Sequence, residues 1–244
     1  MSRIHLLGIP LDPLTGRQAI DVLQSFLRST TQHHVTTPNN EMLVEAQRNR
    51  MFAEVLRQSS LNLPDSTGLL LAAKWTGQHL PKRVTGVDTV TELCGELSSD
   101  SPVFLLGGRE GVAEQAAAVL RANNPQLTIV GTFAGSPREE EAEAILRHIN
   151  AVQPHLLLVA YGAPAQDLWI ARHLRELPSV RVAMGIGGTL DFLAGAQTRA
   201  PVLLRRLGLE WFWRLICDPK RFPRIWRAVV VFPLLVARQK TAKR

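Results

Sequence analysis

The chain of 244 residues is 45% hydrophobic and carries a net charge of +7. That hydrophobic fraction is ample for a buried core in one large α/β domain or two small ones. The two cysteines, Cys94 and Cys217, occur without C-x-x-C or Cys/His spacing, which argues against a disulfide framework and a zinc site.

Short β-rich segments alternate with amphipathic segments along the first half of the chain, a pattern typical of α/β proteins. Strands are predicted at "RIHLLGI", "HHVTTPN" and "LNLPDSTG". The amphipathic segments predict helices near residues 16–27, 41–58, 69–75 and 89–97.

Four apolar segments in the second half predict further strands, at "PVFLLGG", "LTIVGTFAG", "HLLLVAYGA" and "RVAMGIGG". Helices are predicted between them, near residues 111–123, 138–152 and 165–177. Nearly continuous apolar strands are typical of a parallel sheet that is covered on both faces. The sequence therefore predicts an α/β fold over residues 1–200, a Rossmann-like sandwich with a mostly parallel sheet.

The basic charge is concentrated in the C-terminal part of the chain. Residues 199–244 hold twelve of the 28 Lys and Arg residues but only two acids, a net charge of +10, which leaves −3 for residues 1–198. Six aromatic residues are interleaved with this charge: Trp211, Phe212, Trp213, Phe222, Trp226 and Phe232. We predict a basic amphipathic helical appendage over residues 201–244, with a break at Ala200–Pro201.

Large apolar side chains mixed with arginine favour an anionic membrane surface as the partner of this appendage. The longest apolar run, 228–237, has ten residues, well short of the roughly 20 needed to span a bilayer. Two alternatives remain: an amphipathic helix that packs its aromatics on the core, and a nucleic-acid surface, which the aromatic content disfavours. Because the N-terminus does not resemble a signal peptide, we expect a cytoplasmic protein attached peripherally to the inner face of the membrane.

Polar residues and glycines follow the predicted strands, where an open parallel sheet binds its ligands. Glycines at a strand-to-helix turn let a ligand approach the backbone, and the next helix offers free N–H groups to a phosphate. Such a rim suits a nucleotide or nucleotide sugar, although tight-turn roles would explain the same glycines. The segment "GGREG" does not match the dinucleotide fingerprint G-x-G-x-x-G, which disfavours a Rossmann-like oxidoreductase.

Asp65 ends one of the predicted strands, in front of a turn at Ser66–Gly68. A carboxylate in that place is suited to act as a general base. It is equally suited to cap a helix, with Ser66 and Thr67 competing for the capping position. The residues alone leave both interpretations open.

Seven sequence elements stand in the order found in the WecG/TagA/CpsF glycosyltransferase family, which the chain resembles over nearly its whole length. The first five are "VTTPNNEM", "LPDSTGLLLA", "RVTGVD", "VFLLGGREGVAEQAA" and "VAYGAPAQDLWI". Two longer and more specific elements complete the set, "GIGGTLDFLAGAQTRAP" and "GLEWFWRLICDPKRFPR". The resemblance implies transfer of N-acetylmannosamine or a related hexose from a UDP-sugar to a polyprenyl-diphosphate-linked acceptor sugar, in cell-surface polysaccharide or teichoic acid synthesis.

The resemblance also implies roles for individual residues. Asp65 would be the catalytic base, and Thr37 and Asn39 would place the acceptor sugar. Arg83 and Gln166 would face the donor. The nucleotide-facing rim would comprise Gly108, Tyr161, Gly162, Gly187 and Asp191. Contacts to anionic lipid or to a substrate diphosphate would come from Arg214, Arg221 and Arg224.

Two residues depart from the family pattern, Ser66 in place of the usual glycine and Asp167 in place of the usual glutamate. Ser66 adds a side chain beside the proposed base and puts the donor or acceptor preference in doubt. Asp167 keeps the charge on an arm that is one carbon shorter, which puts a contact or a helix-capping role in doubt. The implied mechanism is a single displacement with inversion, in which Arg83 and helix N-termini stabilise the leaving diphosphate.

No D-x-D motif occurs in the chain, so we predict metal-independent transfer without a cofactor. The alternative function is a non-catalytic adaptor for a membrane surface or nucleic acid. Exposed apolar residues of the appendage would also suit a homo-oligomer interface.

Overall fold

The computed structural model describes residues 2–197, 200–201, 204, 210–219 and 222–242. Within these residues, six strands form one sheet in which every neighbouring pair is parallel. Two further strands form a separate antiparallel hairpin. The α/β class and the parallel sheet predicted from the sequence are confirmed.

The hairpin consists of β1 (Ile4–Leu6) and β2 (Ile9–Leu11). The prediction of one strand through "RIHLLGI" is wrong, because the chain reverses at Leu7 and Gly8, whose φ angles are 51° and 76°. Two consecutive positive φ angles are typical of the tight turns that join hairpin strands. The Leu7 side chain is buried, and this burial offsets the unfavourable backbone conformation of a non-glycine residue.

The main sheet has the order β4-β3-β8-β7-β5-β6. Its strands are β3 (His33–Thr36), β4 (Leu61–Asn62), β5 (Val103–Gly107), β6 (Ile129–Phe133), β7 (Leu156–Ala160) and β8 (Val182–Gly185). Since all six run in the same direction, their carboxyl ends lie at one edge of the sheet.

The helices that connect these strands follow the predicted segments closely. They are α1 (Gly16–Arg28), α2 (Asn40–Ala46), α3 (Arg50–Gln58), α4 (Thr67–Trp75), α5 (Gly86–Glu96), α6 (Val112–Asn123), α7 (Glu139–Val152), α8 (Ala165–His173) and α9 (Thr189–Leu193). The single helix predicted over 41–58 is wrong. Asn49 interrupts it, because its side chain accepts a hydrogen bond from the N–H of Phe52 at 3.0 Å and caps a new helix.

Alternate side chains of each strand pack on opposite faces of the sheet. In β5, Val103 and Leu105 pack with α1, α5 and α6, whereas Phe104 and Leu106 pack with α7 and α8. Helices therefore cover both faces, and the Rossmann-like sandwich predicted from the apolar strands is confirmed.

The described C-terminal helices are α10 (Glu210–Cys217), α11 (Phe222–Trp226), a π-helical turn (Arg227–Val231) and α12 (Phe232–Ala242). Phe232 and Val236 are buried in a third apolar cluster with the β1–β2 hairpin, α2 and α4. Part of this segment thus packs on the core, as the amphipathic alternative predicted. The division of the chain near residue 200 stays a prediction.

Other aromatics of the same segment face outward: Trp211, Phe212, Phe222 and Trp226 are 36–55% exposed. Phe222 and Trp226 lie one helical turn apart, with ring centroids separated by 6.2 Å, so they form one apolar patch. No described helix combines the length and the apolar character needed to cross a bilayer.

Candidate active site

A cavity of about 470 Å³ lies at the carboxyl ends of four adjacent strands, β4, β3, β8 and β7. The segments that follow these strands form its floor, and α11 with the π-helical turn forms part of its wall. The cavity brings together many of the residues predicted from the sequence: Thr37, Asn39, Asp65, Arg83, Gly162, Gln166, Gly187 and Arg224.

Three predicted residues lie outside the lining of the cavity: Gly108, Tyr161 and Asp191. Asp191 lies 3.6 Å from the guanidinium group of Arg109. The Tyr161 ring packs beside Gly107, and burial, with a contribution from Glu141, raises the pKa of its phenol. The roles predicted for these three residues stay predictions.

The structure does not describe two of the predicted C-terminal arginine side chains. Arg221 lies outside the described residues, and at Arg214 only the helical backbone of α10 is described.

Asp65 is held at the cavity wall by two backbone contacts. Its N–H donates to the carbonyl of Pro38 at 2.8 Å, which ties the loop after β4 to the loop after β3. Its Oδ2 accepts from the N–H of Gly86, the first residue of α5, at 3.4 Å. The N-cap of α4 is Ser66, so the prediction that Asp65 caps this helix is wrong, and its role as a general base stays a prediction.

Thr37 and Asn39 have structural partners that fix their orientation. The hydroxyl of Thr37 donates to the carbonyl of Gly185 at 3.3 Å, which joins the ends of β3 and β8. The side chain of Asn39 accepts from the N–H of Met42 at 3.0 Å and caps α2. Both side chains reach the cavity from the same loop.

Gln166 joins the turns after β7 and β8. It is buried, and its Oε1 accepts hydrogen bonds from the N–H groups of Gly162 at 3.0 Å and Gly187 at 2.9 Å. Both glycines have positive φ angles, 79° and 52°, which strain any other residue. One side-chain oxygen thus sets the spacing of the two turns.

Asp167 lies outside the cavity lining and is fully buried. Its Oδ1 is 3.7 Å from Nε2 of His34, too long for a hydrogen bond. Within the described part of the chain, neither of its carboxylate oxygens has a hydrogen-bond partner. Asp167 thus lies beside the sheet rather than at the cavity wall, and the effect of its departure from the family's glutamate stays a prediction.

Acidic residues of α2 pair with basic residues of the C-terminal segment in the cavity wall. The Nε of Arg224 lies 3.5 Å from the carboxylate of Glu41, and a guanidinium nitrogen of Arg227 lies 3.8 Å from that of Glu45. Sequence reasoning missed Glu41 and Glu45. No signal in the sequence indicates this pairing, because α2 and the C-terminal segment come together only in the folded chain.

Guanidinium groups at the cavity suit a phosphate ligand, because their planar donors match its oxygens. Arg83, Arg224 and Arg227 all line the cavity. Among the residues that the structure describes, no three or more His, Cys, Asp or Glu side chains are grouped to hold a metal ion. Metal-independent transfer stays a prediction.

The sequence model of the family described as "Glycosyl transferase WecG/TagA/CpsF family" matches residues 4–244. The chain belongs to this family. This match confirms the resemblance to the WecG/TagA/CpsF glycosyl transferases that was drawn from the seven sequence elements. The cavity at the strand ends is accordingly the candidate active site of a glycosyl transferase.

The family member is similar to proteins of Staphylococcus aureus strains MRSA252 and NCTC 8325 / PS 47. Both are named N-acetylglucosaminyldiphosphoundecaprenol N-acetyl-beta-D-mannosaminyltransferase. Each is 29% identical over 243 residues, which cover 98% of this chain and 94% of the relative.

Proposed function

We propose that this WecG/TagA/CpsF glycosyl transferase moves N-acetylmannosamine, or a related hexose, from a UDP-sugar to a polyprenyl-diphosphate-linked N-acetylglucosamine. The name of the Staphylococcus aureus relatives supports this sugar and this acceptor. The observation that carries the proposal is the cavity, where the Asp65 carboxylate and the guanidinium groups of Arg83 and Arg224 line one space.

Asp65 is the base in the proposed reaction. It takes the proton of the acceptor hydroxyl while the hydroxyl oxygen bonds to the anomeric carbon of the donor. The bond from that carbon to UDP breaks on the opposite face, and UDP leaves with the electron pair, so the configuration inverts. The N–H of Gly86 at the start of α5 holds Oδ2 in place.

Arginines stabilise the negative charge that grows on the departing diphosphate. Arg83 and Arg224 are the described cations proposed for this role, and their charge would let transfer proceed without a metal ion. Thr37 and Asn39 orient the acceptor sugar. The donor contacts are assigned to Gln166 and to a rim formed by Gly108, Tyr161, Gly162, Gly187 and Asp191.

The exposed aromatics of the C-terminal segment dock the enzyme on the inner face of the membrane in this proposal. Phe222 and Trp226 form an exposed apolar patch beside Arg224. Aromatic residues mixed with arginine bind anionic lipid surfaces. An enzyme held there meets its lipid-linked acceptor by diffusion in the plane of the membrane.

The proposed function is tested by measuring UDP release from a panel of UDP-sugars. Each donor is mixed with a short-chain prenyl-diphosphate N-acetylglucosamine, with and without EDTA. We expect release that depends on the acceptor, is greatest with UDP-N-acetylmannosamine and is unaffected by EDTA. Release that ignores the acceptor contradicts the proposed transfer and indicates hydrolysis of the UDP-sugar. No release from any donor contradicts the proposal and favours a non-catalytic adaptor.

A further inference from the structure

The side-chain amide of Asn40 joins the Asp65 loop to the C-terminal segment. Its Oδ1 accepts a hydrogen bond from the hydroxyl of Ser66 at 2.6 Å. Its Nδ2 donates to the backbone carbonyl of Ala228 at 2.9 Å. A single amide thus connects two segments that are far apart in the sequence and that both line the cavity.

The carbonyl of Ala228 needs an outside donor because of the local helix type. Ala228 lies in the π-helical turn, in which Phe232 donates its N–H to Arg227 five residues earlier. In the same register Ala228 would accept from residue 233, which is Pro233 and has no N–H. Asn40 donates the hydrogen bond that this carbonyl would otherwise lack, since backbone carbonyls in folded proteins are nearly always paired.

The Asn40 amide also rests directly against the first turn of α4. A Cβ atom placed on Gly68 would lie 2.1 Å from Nδ2 and 2.7 Å from Oδ1 of Asn40. The neighbouring backbone is tied as well, since Asp65 donates its N–H to Pro38 at 2.8 Å. A shift of Asn40 therefore moves the loop that carries Asp65.

Two ion pairs stand beside this amide along α2, between Glu41 and Arg224 and between Glu45 and Arg227. They are long and partly exposed, and such pairs contribute little each. Their effect is to keep the C-terminal segment facing α2. Asn40 is the first residue of α2. Its two shorter, uncharged hydrogen bonds fix how the C-terminal segment lies relative to α2 and Ser66.

We propose that Asn40 is a positioning residue for sugar transfer, which acts with Ser66 to align Asp65 only while the turn Arg227–Val231 is seated on α2. This inference rests on the proposed function and assigns a purpose to Ser66, where the family usually has glycine. Its hydroxyl carries the link from the seated segment to the base. Transfer is thereby coupled to the position of the segment that bears the exposed aromatics.

The variants Asn40→Asp and Ser66→Ala test the two halves of the link. Asn40→Asp keeps an acceptor for Ser66 but places an oxygen opposite the carbonyl of Ala228. We expect kcat to fall roughly 3- to 10-fold, the effect of one lost hydrogen bond, with KM for the UDP-sugar unchanged. Hydrogen exchange of the amides in 225–232 should become faster.

Ser66→Ala should lower kcat to a similar extent while exchange in 225–232 stays as in the wild type. Ser66→Thr retains the hydroxyl and should restore kcat. The matched control is Asn150→Asp on α7, because Asn150 also donates to a backbone carbonyl, that of Glu176 at 3.0 Å, but away from the cavity. It should leave both kcat and exchange in 225–232 unchanged.

Wild-type kcat in Asn40→Asp would overturn the positioning role, whatever happens to exchange. If the wild-type protein transfers no sugar from any donor, the proposed function fails separately. Exchange then decides the structural link: faster exchange in Asn40→Asp supports seating by Asn40, and unchanged exchange overturns it.

Discussion

The Oδ2 atom of Asp65 accepts a hydrogen bond from the backbone N–H of Gly86 at 3.4 Å, at the first residue of α5. Helix α5 is anchored in the core by Val90 and Leu93, which are fully buried. A Cβ atom on Gly86 would lie 3.4 Å from Oγ1 of Thr189, so the start of α5 also abuts the turn after β8. The proposed base therefore contacts the start of α5 as well as the loop after β3.

We expect Asp65→Asn to lower kcat at least about 100-fold, because a positioned general base contributes that much or more. Asparagine keeps an oxygen for the N–H of Gly86, so the fold and the thermal stabilisation by UDP should persist. UDP release and thermal unfolding with UDP check both expectations. Asp21→Asn, on the exposed side of α1, is the control, and wild-type turnover by Asp65→Asn would refute the base.

Gln166→Leu should lower both stability and turnover. Leucine removes the acceptor for the N–H groups of Gly162 and Gly187, and an unpaired buried donor destabilises by about 1–3 kcal/mol. Chemical denaturation gives the free energy of unfolding, and UDP release gives kcat.

Gln32→Leu is the matched control for that variant, since Gln32 also bonds backbone groups, the carbonyls of Leu174, Leu177 and Val180, but does not line the cavity. It should lower stability while leaving kcat unchanged. Equal kcat values in the two variants would show that Gln166 is only structural.

Gly185→Ala should destabilise the protein, because the added methyl group would clash with side chains next to the cavity. The added Cβ would lie 2.5 Å from Oδ1 of Asp167 and 2.6 Å from Nε2 of Gln166, and overpacking of this kind destabilises by about 1–3 kcal/mol. Gly95→Ala, in open space on α5, should instead stabilise by about 0.5–1 kcal/mol. Thermal unfolding of both variants checks the pair, and equal melting temperatures would contradict it.

The double variant Phe222→Ser/Trp226→Ser should bind vesicles that contain phosphatidylglycerol about 10- to 100-fold more weakly, because two large apolar anchors are lost. Co-sedimentation measures the affinity. Val152→Ser, an exposed apolar residue of α7, should bind as the wild type does. Undiminished binding by the double variant would place the membrane contact elsewhere.

The sheet could be predicted from the sequence because its strands are apolar on both faces, as β7 and β8 show. The end of a predicted strand then indicated Asp65, and the family resemblance indicated Thr37 and Gln166. The hairpin was missed because Leu7 adopts a positive φ angle that its side chain disfavours, and only burial in the third cluster compensates for it.

The contacts of Asn40 could not be predicted, because they depend on tertiary structure. Asn40 and Ala228 come together only when the C-terminal segment returns to α2. One residue in the sequence is related to that contact. Pro233 lacks the N–H that would otherwise donate to the carbonyl of Ala228. Without the observed π-helical turn, no rule connects that proline to an asparagine near the N-terminus.

The β1–β2 hairpin and α12 meet in the third cluster, where the N–H of Leu7 donates to Oε1 of Gln239 at 3.1 Å. Phe232 and Val236 complete the apolar packing against the hairpin. During synthesis the hairpin leaves the ribosome long before these partners are translated. The cluster stays incomplete until α12 has been translated, so the cavity wall that α11 and the π-helical turn form is assembled after the parallel sheet.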